Sequence, residues 1–168
     1  MSPMTTYKHF TNKADLLSGL WESVIEALHS HMAAAVGKKR GARARQRASL
    51  EAYLDYFEER PDHYALVYMT SHTTDGKDST RFADLPIYQN ILSLVNDVTR
   101  DLADEIGADM SGAKAAGDVR FMMLLGYLNA HLVNRRFPWS ERKGLRKIYL
   151  DEILATVERM LVAHTVAR

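Results

Sequence analysis

Ser2-Pro3-Met4-Thr5-Thr6-Tyr7-Lys8-His9-Phe10-Thr11-Asn12-Lys13-Ala14-Asp15-Leu16-Leu17 reads as a short helix, a turn and the first turns of a long helix. Ser2 suits an N-cap, and Pro3 suits the first turn, where a missing N–H costs nothing. Tyr7, His9 and Phe10 close that helix after about two turns. Asn12 caps the next helix, and Asp15, three residues on, is placed to bond back to the cap. Lys13 falls in the first turn, where the helix dipole disfavours a cation. A nearby phosphate is one reason to keep a lysine there.

Outward from this stretch the pattern stays helical, and no alternating strand run appears. A long helix is predicted from Lys13 to about Val36, with Leu16, Leu17, Leu20, Val24, Ala27, Leu28 and Met32 at three- and four-residue steps. Gly37 to Gly41 ends it. The enclosed Lys38-Lys39-Arg40 reads as a solvated loop at a helix C-terminus in preference to a phosphate contact. A helix over about 42–60 carries Leu50, Tyr53, Leu54 and Phe57 on one face. Pro61 stops it and opens a short helix to Met69. The polar run from His72 to Arg81 reads as a mobile loop. Asp84 is placed to cap a helix ending at Gly107, and Ser111 to start one running to about Arg136. Phe137-Pro138-Trp139 breaks that helix, and Ser140 is placed to cap the last, over about 141–165.

The opening motif resembles the recognition helix and following helix of tetracycline-repressor-type (TetR family) transcriptional regulators. Thr5, Tyr7, His9, Phe10, Asn12, Lys13, Asp15, Leu16 and Leu17 match the family pattern, while Thr6 stands where Leu or Ile is usual. The resemblance implies an all-α protein, with residues 1–18 the remnant of a helix-turn-helix head. Residues 19–168 are then a helical ligand-binding and dimerisation body. It also implies that Tyr7, His9 and Lys13 contact DNA phosphates, and that base contacts come from Pro3, Met4, Thr5, Thr6 and Lys8. Phe10 and Leu16 are expected to anchor the head to the long helix.

Such a head needs a first helix to brace the recognition helix. In the family two helices stand upstream, roughly 30 residues at ordinary helix lengths. The motif here begins at Ser2, so the head is expected to be truncated. Either the start is called late, with a GTG valine codon written as Met1, or the short form is a binding and dimerisation module without DNA affinity.

Composition is compatible with this reading. A chain of 168 residues buries roughly 70% of its unfolded surface, enough for one good core. It has no cysteine, which excludes disulfides and thiolate metal sites. No apolar run approaches the roughly 20 residues of a membrane-spanning helix, and no signal peptide is evident. A cytoplasmic protein without membrane association is expected. The net charge is +1, but residues 1–47 carry eight basic residues against three acidic ones. A basic front and a mildly acidic remainder suit a DNA-facing head, although any basic loop gives the same count.

In the body, Tyr53, Phe57, Tyr64, Tyr68, Met69, Tyr88, Met122 and Tyr127 are the candidate pocket residues, drawn from an aromatic and methionine set that also includes Phe82 and Met123. Most are expected to be plain core, some to line a cavity for a small apolar or amphipathic effector. Few inward-pointing lysines or arginines are expected to balance a charged ligand. Phe121, Leu124, Leu125 and Leu128, with Ile153, Val157, Met160 and Leu161, are predicted to form a homodimer interface, because the helices carrying them are apolar on more than one side. Two-fold symmetry then matches palindromic operator DNA. No metal or cofactor is expected: His29 and His31 do not share a helix face, and His63, His72 and His131 are isolated. No phosphate loop, nucleophile elbow or paired-carboxylate motif points to an enzyme.

Overall fold

The computed structural model describes residues 13–69, 86–134, 136–139 and 141–166. Every regular element among them is helical, as the periodicity predicts: six α-helices and two π-helical turns. The short helix predicted at 3–9, the loop at 72–81, and the caps assigned to Asn12, Asp84 and Ser140 lie outside the described residues.

Helix α1, Lys13–Gly37, buries Trp21, Val24, Ile25, Leu28, Met32 and Val36, recurring at three- and four-residue steps. This face is turned by about one residue from the predicted stripe: Leu20 and Ala27 are exposed. Trp21 sets the rotation, because its bulky ring goes inward and its indole N–H donates to the Leu66 carbonyl at 3.2 Å.

Helix α2, Ala42–Glu59, is the hub, packing against α1 and against every helix that follows. It therefore buries residues on most of its circumference, including Gln46, Ser49, Leu50, Tyr53, Leu54, Tyr56 and Phe57. Small Ala48, Ser49 and Ala52 leave room for neighbouring helices. Its first turn has no side-chain cap of its own; Gly41 enters at φ 83°. The Ala42 N–H instead donates to the Glu105 carboxylate of a later helix at 2.9 Å.

Pro61–Tyr64 forms α3, with proline in its first turn and Asp62 at the dipole-favoured end. It continues as a wider π-helical turn over Ala65–Met69. Helix α4, Pro86–Ile106, stops at Gly107, whose φ of 69° suits glycine. There Ala108 N–H reaches back to the Ala103 carbonyl at 2.9 Å and Gly107 N–H to that of Asp104 at 3.3 Å, a Schellman ending.

Helix α5, Ala113–Leu128, is shorter than predicted. It widens into a π turn over Asn129–Val133, with Asn134 N–H bonding five residues back to Asn129 at 3.0 Å. Helix α6, Arg142–Val166, is capped by the Glu141 carboxylate, which accepts the Gly144 N–H at 2.6 Å. α5 packs mainly on α6, and α4 mainly on α2 and α1. No helix among the described residues is long and apolar enough to cross a membrane.

Candidate functional site

Tyr53 and Phe57 lie one turn apart on the same face of α2, so both point toward α3 and α5. Their rings meet edge-on at 5.1 Å. Phe57 also meets Tyr64 and Tyr68 edge-on, each at 5.6 Å. From α5, Phe121 closes the group at 6.5 Å from Tyr53 and 6.2 Å from Tyr68. These are favourable aromatic geometries, so the cluster is cohesive as well as apolar.

The phenol groups give this interior a polar grain. Tyr53 and Tyr68 share a hydrogen bond of 2.8 Å between hydroxyls. The Tyr64 hydroxyl is buried with no hydrogen-bond partner among the described residues. Burial, and after it the neighbouring Tyr68, holds the Tyr53 phenol well above its ordinary pKa; burial does the same to Tyr68 against its bond with Tyr53. Tyr88 from α4 is close enough to push both further up. Four tyrosine hydroxyls from α2, the α3 segment and α4 thus converge, and burial keeps those of Tyr53, Tyr64 and Tyr68 neutral.

Of the eight candidate pocket residues, Tyr53, Phe57, Tyr64, Tyr68 and Tyr88 come together here. Tyr127 does not: it is buried beside Tyr149, stacked at 5.5 Å, and donates to Glu58 at 3.1 Å. Met69 and Met122 are corrections, 49% and 61% exposed. The π turn swings Met69 outward as it brings Tyr68 in, and Met122 lies on the outer side of α5. Phe121, assigned to a dimer interface, instead edges the aromatic cluster while remaining 40% exposed.

The interface residues also need correction. Leu124, Leu128, Ile153, Val157 and Leu161 are buried within the protomer itself, and Leu125 and Met160 pack partly against the same core. Contact between α5 and α6 with the hub consumes the second apolar stripe. Among the described residues, the large apolar side chains left exposed here are Phe121 and Met122 on α5, Val133 on its π turn, and Ile148 and Val162 on α6.

A second feature was not anticipated. Among the described residues, four polar side chains are buried: Gln46, Ser49, Thr99 and Arg120. Ser49 donates to the Gln46 carbonyl and Thr99 to that of Val95, both at 2.7 Å. Neither atom of the Gln46 amide has a partner among the described residues. Arg120 makes one long bond, 3.4 Å to Thr99 Oγ1, and no ion pair among the described residues. Desolvation lowers its pKa to about 10, so it stays cationic at neutral pH. The sequence leads one to expect few inward-pointing cations, and Arg120 is one. The signal was legible: Arg120 interrupts the apolar run Val119 to Leu125.

The proposed DNA-contacting residues Pro3, Met4, Thr5, Thr6, Tyr7, Lys8 and His9 lie outside the described residues. Lys13 begins α1, and only its backbone is described. Among the histidines, His63 bonds the Tyr56 hydroxyl through Nδ1 at 2.9 Å, and His131 packs on Tyr127 and Trp139. No group of three or more His, Asp or Glu among the described residues is placed to hold a metal ion. A scan against models of known protein families finds no match, and a search of curated proteins finds none either.

Proposed function

We propose that this chain is a ligand-responsive, dimeric TetR-type transcriptional regulator, acting as a repressor on palindromic operator DNA. The observation that carries the reading is the motif from Thr5 to Leu17, with Tyr7, His9 and Lys13 in order. The all-α body that follows it, long helices around a phenol-bearing aromatic interior, supports the same reading.

The effector site is the space around Tyr53, Phe57, Tyr64, Tyr68 and Tyr88. Apolar rings supply contact area and hydroxyls fix orientation there. The dimer forms on the outer face of α5 and α6. Met122, Gly126 and Val133 share one side of α5 and its π turn, and Ile148, Ala155 and Val162 recur every seven residues on α6. Effector binding lowers operator affinity by favouring a conformation whose two heads no longer match the half-site spacing; equal affinity for both conformations shifts nothing.

A mobility-shift titration against the promoter region of its own gene tests the DNA half of this reading. It is run on the 168-residue chain and on a form extended upstream in frame. The extended form is expected to bind, with affinity falling steeply as salt rises. Absence of a shift by the extended form at low salt overturns the regulator reading and leaves a small-molecule-binding, dimerising module.

A further inference from the structure

We propose that the effector is a small organic monoanion whose carboxylate seats against Arg120 and whose hydrocarbon part extends toward Tyr53, Phe57, Tyr68 and Phe121. This rests on the effector reading above and adds to it the chemistry of the ligand's head.

The register of the helices gathers the four buried polar residues. Between α2 and α4, Ala42 meets Glu105 and Arg45 meets Asp101, so the helices run antiparallel and residues 46–49 stand level with Thr99. Between α2 and α5, Tyr53 meets Phe121 and Glu58 meets Tyr127, so these two run parallel. Arg120 lies back along α5 toward its N-terminus, its Nη2 passing over Gly117. That brings its head to the level of Gln46 and Ser49. Gln46, Ser49, Thr99 and Arg120 therefore form one polar layer between α2, α4 and α5.

The layer leaves its strongest donor almost unused. Arg120 has a planar fork suited to two parallel bonds to a carboxylate, yet makes one long bond to a hydroxyl. The Gln46 amide, fully buried, offers a further N–H donor and an acceptor with no partner among the described residues. For folding alone, an apolar side chain of similar length serves better at position 120, because an isolated buried charge is unfavourable. The other half-buried arginines are committed: Arg45 to Asp101, Arg47 to Glu51 and Asp151, and Arg146 to Asp55 and Glu58. Among the described residues, this one uncommitted buried cation calls for one negative charge. Gln46 and Tyr53 share a face of α2 seven residues apart, about 10 Å along the axis. A carboxylate carrying a ring or a chain of about six to eight carbons spans that distance.

The test uses 3-phenylpropionate and octanoate beside their uncharged counterparts, 3-phenylpropanamide and 1-octanol. Binding to the full chain is measured by calorimetry and thermal shift at pH 7. The acids are expected to bind at least tenfold more tightly than the uncharged forms. Arg120→Met removes that preference and raises the melting temperature of the ligand-free chain; Arg120→Lys retains part of the preference. Gln46→Glu supplies an internal carboxylate beside Arg120, so it also raises that temperature and abolishes acid binding. If Arg120→Met leaves the ratio of acid to amide affinity unchanged, or lowers ligand-free stability, the anionic head is wrong while the effector reading stands. If neither acids nor uncharged forms bind the folded chain at millimolar concentration, the effector reading fails with it.

Discussion

Tyr53, Tyr64 and Tyr68 stand within one cluster but stabilise it unequally, because a buried hydroxyl is worth keeping only where it has a partner. Tyr68→Phe leaves the Tyr53 hydroxyl without the 2.8 Å bond it now makes. Urea denaturation is expected to show a loss of about 1–2 kcal/mol. Tyr64→Phe removes a hydroxyl that has no partner among the described residues, so a change within about 0.5 kcal/mol, or a small gain, is expected. Equal losses from both substitutions contradict this assignment of bonds.

The same tyrosines set the alkaline limit. Burial raises the pKa of Tyr53, Tyr56, Tyr64, Tyr68 and Tyr149 above the ordinary value of 10.0. Above pH 10 the unfolded chain releases these protons while the folded chain retains them. The folded state then binds more protons, and stability falls as pH rises. Arg120 acts in the opposite sense: burial lowers its pKa to about 10, so its penalty is relieved as pH rises above that value. Five raised phenols outweigh one lowered guanidinium. The melting temperature is therefore expected to fall steadily above pH 10, and a rise there contradicts the burial of these phenols.

Among the elements, α6 is tied to the hub by ion pairs of very different worth. Arg146 reaches both Asp55 and Glu58 of α2, and Glu58 also accepts from Tyr127 of α5. Replacing Arg146 with Met leaves the half-buried Glu58 without its counter-charge, at a cost of about 2–3 kcal/mol. Arg43 pairs with Glu158 at 3.0 Å, but its side chain is mostly exposed. Arg43→Ala is expected to cost less than about 0.5 kcal/mol. Chemical denaturation of the two variants side by side measures the difference.

Local chemistry made much of this element scale legible in the sequence. Pro61 before a short helix, Gly107 after a long one and Ala42–Glu59 between two punctuated segments lie where the pattern places them, to within a residue or two. What was not legible depends on distant partners. Nothing local to Gly41-Ala42 shows that Glu105, sixty-three residues on, accepts that helix's first N–H. The rotation of α1 follows from Trp21 meeting Leu66, and the π turns at 65–69 and 129–133 replace what read as ordinary helix. At the site, aromatic residue type singled out Tyr53, Phe57, Tyr64, Tyr68 and Tyr88, which the fold brings together. It misplaced Met69 and Met122, because methionine is common in cores and on surfaces alike. The polar layer was overlooked because Gln46 lies among charged residues and resembles them, and its burial appears only once α2 is enclosed.

For the whole molecule, the distribution of exposed and buried apolar residues separates assembly from folding. Ile148 is 61% exposed on α6, whereas Ile153, five residues later, is fully enclosed. In the proposed homodimer, Ile148→Glu and Met122→Glu are expected to give a folded monomer by light scattering at micromolar concentration. Ile153→Glu places a carboxylate in the core and is expected to unfold the chain. A dimer that survives both surface substitutions moves the interface elsewhere.

The enclosure of α2 has a consequence for how the molecule breathes. A segment covered by all five neighbouring helices cannot release its backbone amides by local fraying, because no single neighbour can lift away and uncover it. Its exchange with deuterated solvent must await opening of the whole chain. Amides from about 48 to 57 should therefore report the global unfolding free energy and move together when that energy changes. The outer faces of α4 and α6 should exchange earlier, through smaller openings. A compound that slows exchange throughout 48–57 in step with its thermal shift therefore acts on the stability of the entire fold, whereas one that protects only the Tyr68 turn acts locally.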